Sequence, residues 1–346
     1  MPKSTRNADL HAAKKEKNDE FYTQFADIDN ECIHYRQQFK GKIILCNCDD
    51  PRVSNFFYYF YANFCQLGLK KLIAVCYKNL NPDLFSQHKD EKAVYCIYDG
   101  KGRTDDIIDD NKEFFRRNEW GVLKGDGDFR TEECIELLKQ ADIVVTNPPF
   151  SLFREFVAQL IEYDKKFLII GNVNALSYKE LFPLIKENKI WLGISIHSGD
   201  REFGVPDSYP LNAAGYRVDE KGNKYIRVKG VRWFTNLDHK IRHEIMPLYA
   251  RYAPNEYPKY DNYDAIEVSK TADIPCDYAG AMGVPLTFLD KYNPEQFEIL
   301  GSDYDVKQGL LPELVNPNWT GKLDRGYISG ERLYARVLIR HKKENK

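Results

Sequence analysis

Up to about residue 197, short apolar runs alternate with helical spacings. The continuous run 42–48 predicts a buried strand. An aromatic-rich helical stretch follows at 54–67 and ends at Gly68. The runs 72–77, 93–98, 142–146, 167–171 and 190–196 read as further strands. Helical periodicity marks 27–39 (ending at Gly41), 132–140, 151–163 and 178–187. The charged stretch 99–118 reads as a loop leading into a helix. Strands alternating with helices predict βαβ units, hence an α/β fold: a doubly wound, mainly parallel sheet with helices on both faces. Such sheets bind ligands at the carboxyl ends of their strands. Past residue 197 the alternation fails. The run 225–235 is strand-like, 247–296 is rich in Pro, Tyr and Asp and reads as irregular, and 333–340 reads as a last strand. Residues 1–20 are polar and charged, and the first dozen read as disordered.

Composition narrows the possibilities without choosing one. The chain has 346 residues, 43% hydrophobic and 29% charged, enough to bury a sizeable core. A net charge of −2 offers no basic excess, so a nucleic-acid partner would need local clusters of Lys and Arg. None of the eight cysteines forms a Cys-x-x-Cys pair. They read as buried free thiols of a reducing cytosol, with no metal site. No run is long and apolar enough for a bilayer, and no signal-peptide apolar region precedes the first helix. No membrane partner and a cytoplasmic location are expected. A Gly-x-Gly-x-x-Gly turn is missing after the first strand, which speaks against a nicotinamide dehydrogenase. The seven histidines show no arrangement with a nucleophile, which speaks against a Ser/His hydrolase.

The sharpest chemical signal is Asn147-Pro148-Pro149-Phe150, directly after Ile143-Val144-Val145-Thr146. The two prolines stop the strand and stiffen an extended turn, and Ser151 is a candidate cap for the helix that follows. An amide, a carbonyl and an aromatic ring are thereby held at a strand end. An aromatic amine is a poor nucleophile because its lone pair is delocalised. The Asn147 side-chain oxygen and the Pro148 carbonyl can accept its hydrogens and stabilise positive charge as nitrogen attacks the sulfonium methyl of S-adenosylmethionine. Phe150 can stack on a base, worth roughly 1–3 kcal/mol. Rigidity serves the in-line approach of the reacting atoms to about 3–3.5 Å. The chemistry reaches as far as methylation of an exocyclic amine and does not separate DNA, RNA and a glutamine side chain.

The neighbours of the motif add specificity. Asn18-Asp19-Glu20-Phe21-Tyr22-Thr23 precedes the first helix, Cys46-Asn47-Cys48-Asp49-Asp50-Pro51 ends the first strand, and Gly125-Asp126-Gly127-Asp128-Phe129 precedes the helix at 132–140. Leu69-Lys70-Lys71-Leu72, Trp233-Phe234-Thr235-Asn236, Gly283-Val284-Pro285-Leu286-Thr287-Phe288, Lys291-Tyr292-Asn293-Pro294 and Tyr334-Ala335-Arg336-Val337-Leu338-Ile339 follow. In this order and spacing the chain resembles the EcoRI-type adenine-specific DNA methyltransferases over nearly its whole length. Because the catalytic motifs come first in the chain, a Rossmann-like methyltransferase core is expected over 1–240 and a C-terminal target-recognition region over 241–346, with recognition loops beginning near 197. The resemblance implies S-adenosylmethionine as cofactor and the N6 amine of adenine in duplex DNA as target; a monomer is expected, since it can methylate each strand in separate events. The usual setting is alongside a cognate restriction endonuclease, though a solitary or phage-borne enzyme fits as well. Phe21, Tyr22 and Thr23 match the element at the methionine end of the cofactor. Asn47, Asp49 and Asp50 match the loop after the first strand. Asp128 and Phe129 match the pair that holds the cofactor's adenine, with Asp126 competing for the acid's role.

Two departures from the wider methyltransferase pattern stand out. Cys48-Asp49-Asp50-Pro51 replaces the glycine-rich turn after the first strand, and Val75-Cys76-Tyr77 ends the second strand without an acid for the ribose. Asp49 or Asp50 is the substitute the sequence offers. Phosphate contacts are sought after the motif loop, in 197–209, in 216–263 and in the basic C-terminal stretch. Arg201, Arg232, Arg336 and Arg340 are the candidates there, the last two spaced to share a strand face. A catalytically inactive DNA-binding relative is the competing class, and the intact Asn147–Phe150 motif speaks against it.

Overall fold

Strands covered on both faces must be apolar along their length. In the computed structural model, which describes residues 22–51, 54–77, 93–101, 119–197, 199–205, 215–220 and 222–342, Ile143–Thr146 is buried at every position. Ile43–Cys46 and Lys166–Asn172 are buried through their centres. Continuous burial of this kind marks central parallel strands.

The chain divides into two units, Met1–Val173 with Ser198–Leu237, and Asn174–His197 with Asp238–Lys346. The first carries β1 (Tyr22–Thr23), α1 (Phe25–Cys32), β2 (Ile43–Cys46), α2 (Asn55–Ala62), β3 (Lys71–Val75), β4 (Val94–Tyr98), β5 (Glu119–Val122), α3 (Glu132–Gln140), β6 (Ile143–Thr146), α4 (Phe153–Glu162) and β7 (Lys166–Asn172). The stretch 174–197 gives the second unit α5 (Phe182–Lys186) and β8 (Trp191–Leu192). The first unit resumes with β9 (Asp200–Val205), β10 (Arg217–Val218), β11 (Lys224–Lys229) and β12 (Val231–Thr235).

In the first unit the strands of the main sheet run in the order β5-β4-β3-β2-β6-β7-β12. β3, β2, β6 and β7 are parallel neighbours. The flanks are antiparallel: β4 on β3, β5 on β4 and β12 on β7. The sheet is therefore mixed, which corrects the mainly parallel sheet read from the sequence. Antiparallel flanks need no crossover helix and tolerate a less covered face; β4 accordingly mixes half-buried and buried positions. From β2 the chain moves to β3 on one side and later returns to the other side as β6. The order reverses beside β2, and ligand crevices form at such a reversal.

The helices follow local chemistry. Ser54 caps α2 by accepting the Phe56 and Phe57 N–H groups, and α2 buries Phe56, Phe57, Tyr59 and Phe60. α3 opens on Glu132 and Glu133 and closes on Lys139, matching the helix dipole. Lys165 Nζ then caps the carbonyls of Lys139 and Ala141 at 3.0 and 2.8 Å. The helix read over 27–39 is broken into α1, a 3-10 turn at Ile33–Tyr35 and a short helix at Arg36–Phe39. The run 225–235 is two strands, because Gly230 at φ 71° turns the chain between them. β5 was not foreseen, and residues 1–21 and 102–118 lie outside the described residues. A second, antiparallel sheet, β1-β9-β11-β10, lies in the same unit. It pairs Tyr22 with Gly204 and Thr23 with Phe203.

The second unit adds β13 (Ala265–Glu267), β14 (Ala281–Pro285), β15 (Phe297–Ser302), α6 (Asp303–Lys307), the hairpin β16 (Tyr327–Ile328) and β17 (Glu331–Arg332), and β18 (Arg336–His341). Its sheet order is β13-β14-β18-β15. Two of these strands fall in 247–296, where irregular chain was expected; they are too short, and too broken by Pro and Asp, for periodicity to register. Of the strand expected at 190–196 only β8 forms, and the helix expected at 178–187 shortens to α5, with a proline in its first turn. Tyr260, Tyr263, Val306 and Leu338 contribute to the core. Glu267, enclosed there, takes the guanidinium fork of Arg336 at 2.5 and 3.1 Å and the hydroxyl of Tyr260. Asp303 accepts the Tyr263 hydroxyl at 2.6 Å and the Arg336 N–H at 2.7 Å.

Candidate active site

The loops singled out by motif converge at the carboxyl ends of β2, β3 and β6. The Asp49 N–H donates to the Val75 carbonyl at 3.2 Å, lacing the loop after β2 to the end of β3. The Asp49 carboxylate receives the Ser54 hydroxyl at 2.8 Å on one oxygen and the Thr146 hydroxyl in a short hydrogen bond on the other. Burial pushes the Asp49 carboxyl up to about 6, against the lowering effect of the Thr146 and Ser54 hydroxyls and with a small upward push from Asp50. Asn55, next to Ser54, donates to the Thr23 carbonyl at 2.7 Å. β1 is thereby tied to the start of α2. Thr23 is buried, and its hydroxyl has no partner among the described residues. Tyr22 is 40% exposed and Asn47 is buried. Phe21 lies outside the described residues.

The glycine absent from the loop after β2 has a counterpart elsewhere. Gly127 sits at φ 80°, and a Cβ there would stand 2.3 Å from the Cys76 carbonyl oxygen. Only glycine lets the backbone of this loop lie against the end of β3. The loop is anchored at its start by Glu133, whose carboxylate accepts the Lys124 and Gly125 N–H groups at 2.9 and 3.0 Å. These backbone donors hold the Glu133 carboxyl below its usual range. At the other end Asp128 takes Arg130 in a fork, with Nε at 2.9 Å and Nη2 at 2.6 Å, and Arg130 also reaches Glu155 at 2.8 Å. Asp126 accepts the Asp128 N–H on Oδ1 at 3.0 Å. Of the two acids expected to compete for the cofactor's adenine, Asp128 is thus the one bound up with an arginine. Phe129 is buried edge-on against Phe156, with centroids 5.0 Å apart. Its carbonyl accepts from Gln159 at 3.0 Å.

Asn147 follows Thr146, the fully buried end of β6. Pro148 is buried, while Asn147, Pro149 and Phe150 are partly exposed. Pro149 is extended at φ −53° and ψ 124° and leads into a 3-10 turn, Phe150–Leu152. The Pro149 carbonyl accepts the Leu152 N–H at 3.0 Å. Ser151, the cap candidate of the sequence, lies inside this turn, and the residue at the cap position of α4 is Leu152. The prolines set the direction of the chain instead. The loop thus leaves β6 directly after Thr146, which is hydrogen-bonded to Asp49, and the Asn147 side-chain oxygen is buried.

Two of the four arginines expected at phosphate are committed elsewhere. Arg232 is 4% exposed on the wholly buried β12 and donates to the Val231 carbonyl. Arg336 is enclosed with Glu267. Even spacing along a strand says which residues share a face, not whether that face is covered. Arg201 and Arg340 remain partly exposed, the first 3.8 Å from Asp27 and the second paired with Glu298 at 2.7 Å. Ser54, Asn55, Thr146 and Arg130 were missed as contributors to the site. Ser54 before an apolar run is a cap signal, but no spacing rule brings Asn55 to Thr23 or Thr146 to Asp49. Among the described residues no cluster of His, Cys, Asp or Glu is arranged to hold a metal.

A family described as adenine-specific methyltransferase EcoRI matches residues 9–342. The type II methyltransferase M.EcoRI of Escherichia coli is 50% identical over 348 residues, covering 100% of both chains. M.MgeORF184P of Mycoplasma genitalium and M.MpnI of Mycoplasma pneumoniae, also named type II methyltransferases, are each 40% identical, covering 96% of this chain and 98% of their own. No solved structure matches the chain.

Proposed function

The chain belongs to the EcoRI family of adenine-specific methyltransferases, and from that premise we propose that it methylates the N6 amine of adenine in duplex DNA at the crevice where β2 and β6 end. The observation that carries the reading is the Asn147–Phe150 loop, leaving a fully buried strand beside a cluster that ties β1, β2 and β6 together. The residues around the crevice fit S-adenosylmethionine. The buried Thr23 hydroxyl has no partner among the described residues and suits the methionine end. Gly127 lets its loop lie against the end of β3, and in that loop Asp126 with Phe129 suits the adenine, Asp126 in place of the Arg130-bound Asp128. When bound, this cofactor supplies an electrophilic methyl group.

The chain's own groups do the rest. Asn147 Oδ1 and the Pro148 carbonyl accept the two hydrogens of the target amine, orient its lone pair and stabilise the charge that builds on nitrogen. Phe150 packs on the base. The target nucleotide leaves the stack at a cost of a few kcal/mol, offset by phosphate contacts, for which Arg201 and Arg340 remain the candidates. We further propose that the protein acts at one fixed sequence as a cytoplasmic monomer, in the setting of a nuclease of the same specificity. Among the described residues no helix is long and apolar enough to cross a membrane. The test is to incubate the protein with labelled S-adenosylmethionine and duplex DNA, digest the DNA and identify the labelled nucleoside. N6-methyladenine is the expected product. Methylcytosine, or label confined to RNA or protein, contradicts the reading.

A further inference from the structure

We propose that Asp49 is a positioning residue for methyl transfer: its carboxylate, shared between the hydroxyls of Ser54 and Thr146, fixes Asn147 relative to the element that carries Thr23. The inference deepens the reading of Asn147 as the amine-binding residue and rests on it. A continuous path supports it. The Thr23 carbonyl accepts from Asn55 at 2.7 Å. Asn55 follows Ser54, whose hydroxyl donates to Asp49 at 2.8 Å while accepting the first N–H groups of α2 at 3.1 and 3.4 Å. The other Asp49 oxygen accepts from Thr146, and Thr146 is bonded to Asn147. Each hydroxyl has one hydrogen and gives it to Asp49, so the carboxylate is the only group in the path that accepts at both ends. Thr146 is completely buried and cannot turn to water if that acceptor is lost.

This arrangement assigns Asp49 differently from a ribose ligand. Both of its oxygens are occupied by protein donors, and its own N–H is held by Val75. The path explains how a loop without a glycine-rich turn can still register the two halves of the site: a hydrogen-bonded brace replaces close backbone approach. Among the described residues, the ionisable groups around the carboxylate are Asp50 and Cys46 and Cys48 in the same loop. The Cys46 thiol is raised well above its usual range by burial, and burial raises the Asp49 carboxyl to about 6.

The test is single-turnover methylation of duplex DNA by the full-length chain at saturating S-adenosylmethionine, from about pH 5 to about pH 8, with binding of cofactor and DNA measured separately. In the wild type the rate falls about tenfold as pH drops one unit below the Asp49 midpoint near 6. Asp49→Asn loses about tenfold or more in rate at pH 8, loses the acid limb, and keeps its affinity for S-adenosylmethionine within about threefold. Thr146→Val behaves likewise, and Thr146→Ser, which keeps the hydroxyl, restores the rate. An Asp49→Asn enzyme with an unchanged rate and weakened cofactor binding would overturn the proposal and make Asp49 a cofactor ligand. Formation of N6-methyladenine by the wild type in the same assay reports on the underlying reading separately.

Discussion

At the scale of single residues, the site couples two kinds of constraint, charge and backbone conformation. The Asp49 carboxyl is raised from an ordinary value near 3.8 to about 6 by burial. A carboxyl raised on folding contributes stability that is complete below its unfolded value and is lost as pH rises through its folded value. Wild type is therefore penalised above about pH 6, and Asp49→Asn is not. The melting temperature of Asp49→Asn should rise relative to wild type between pH 5 and pH 8 even as its activity falls. A difference in melting temperature that stays constant over this pH range would contradict the raised Asp49 carboxyl, whatever fixed cost the Thr146 hydroxyl adds. Gly127 is constrained by conformation. Gly127→Ala costs about 1–2 kcal/mol for the left-handed backbone alone, and the added Cβ pushes the loop off the Cys76 carbonyl. Reduced cofactor affinity by calorimetry, with a lowered melting temperature, is the expected result.

At the scale of elements, what was legible depended on how local the cause was. α3 was readable to the residue because its acidic first turn, apolar face and basic last turn all lie within Glu132–Gln140. β6 was readable because both faces are covered, so Ile143–Thr146 is uninterrupted. The Asn147 loop was readable because prolines act on their own backbone. The antiparallel flanks were not, since strand direction is set by which connection can close, not by side-chain pattern. Gly230 was overlooked because a single turn residue hardly disturbs an apolar count. The Asp49–Thr146 pair is separated by 97 positions, and no periodicity spans that. At this scale the cap on α2 can be tested. Ser54→Ala removes a cap worth about 1 kcal/mol together with one donor to Asp49. It should slow methyl transfer in addition to lowering stability, whereas an isolated capping role would leave the rate untouched.

At the scale of the molecule, an arginine expected at DNA serves the interior of the second unit instead. The Arg336–Glu267 pair is enclosed, with side chains 11% and 6% exposed. Removing one partner of such a pair leaves an uncompensated charge, at about 3–5 kcal/mol. Arg336→Ala should therefore lower the unfolding midpoint strongly and leave the salt dependence of DNA binding unchanged. A reduced salt slope with intact stability would return Arg336 to the phosphate interface. For the whole protein, DNA affinity should fall steeply with salt as phosphates neutralised by Lys and Arg release counterions. Since the net charge is −2, that steepness would come from local clusters rather than overall charge.

The central claim is that Asn147 activates the adenine amine at the end of β6. Its most direct test is single-turnover methylation by Asn147→Ala, with S-adenosylmethionine and duplex DNA each at saturating concentration. A rate reduced by roughly 10²–10³-fold or more, with both affinities close to wild type, is predicted. Retention of the wild-type rate would contradict it.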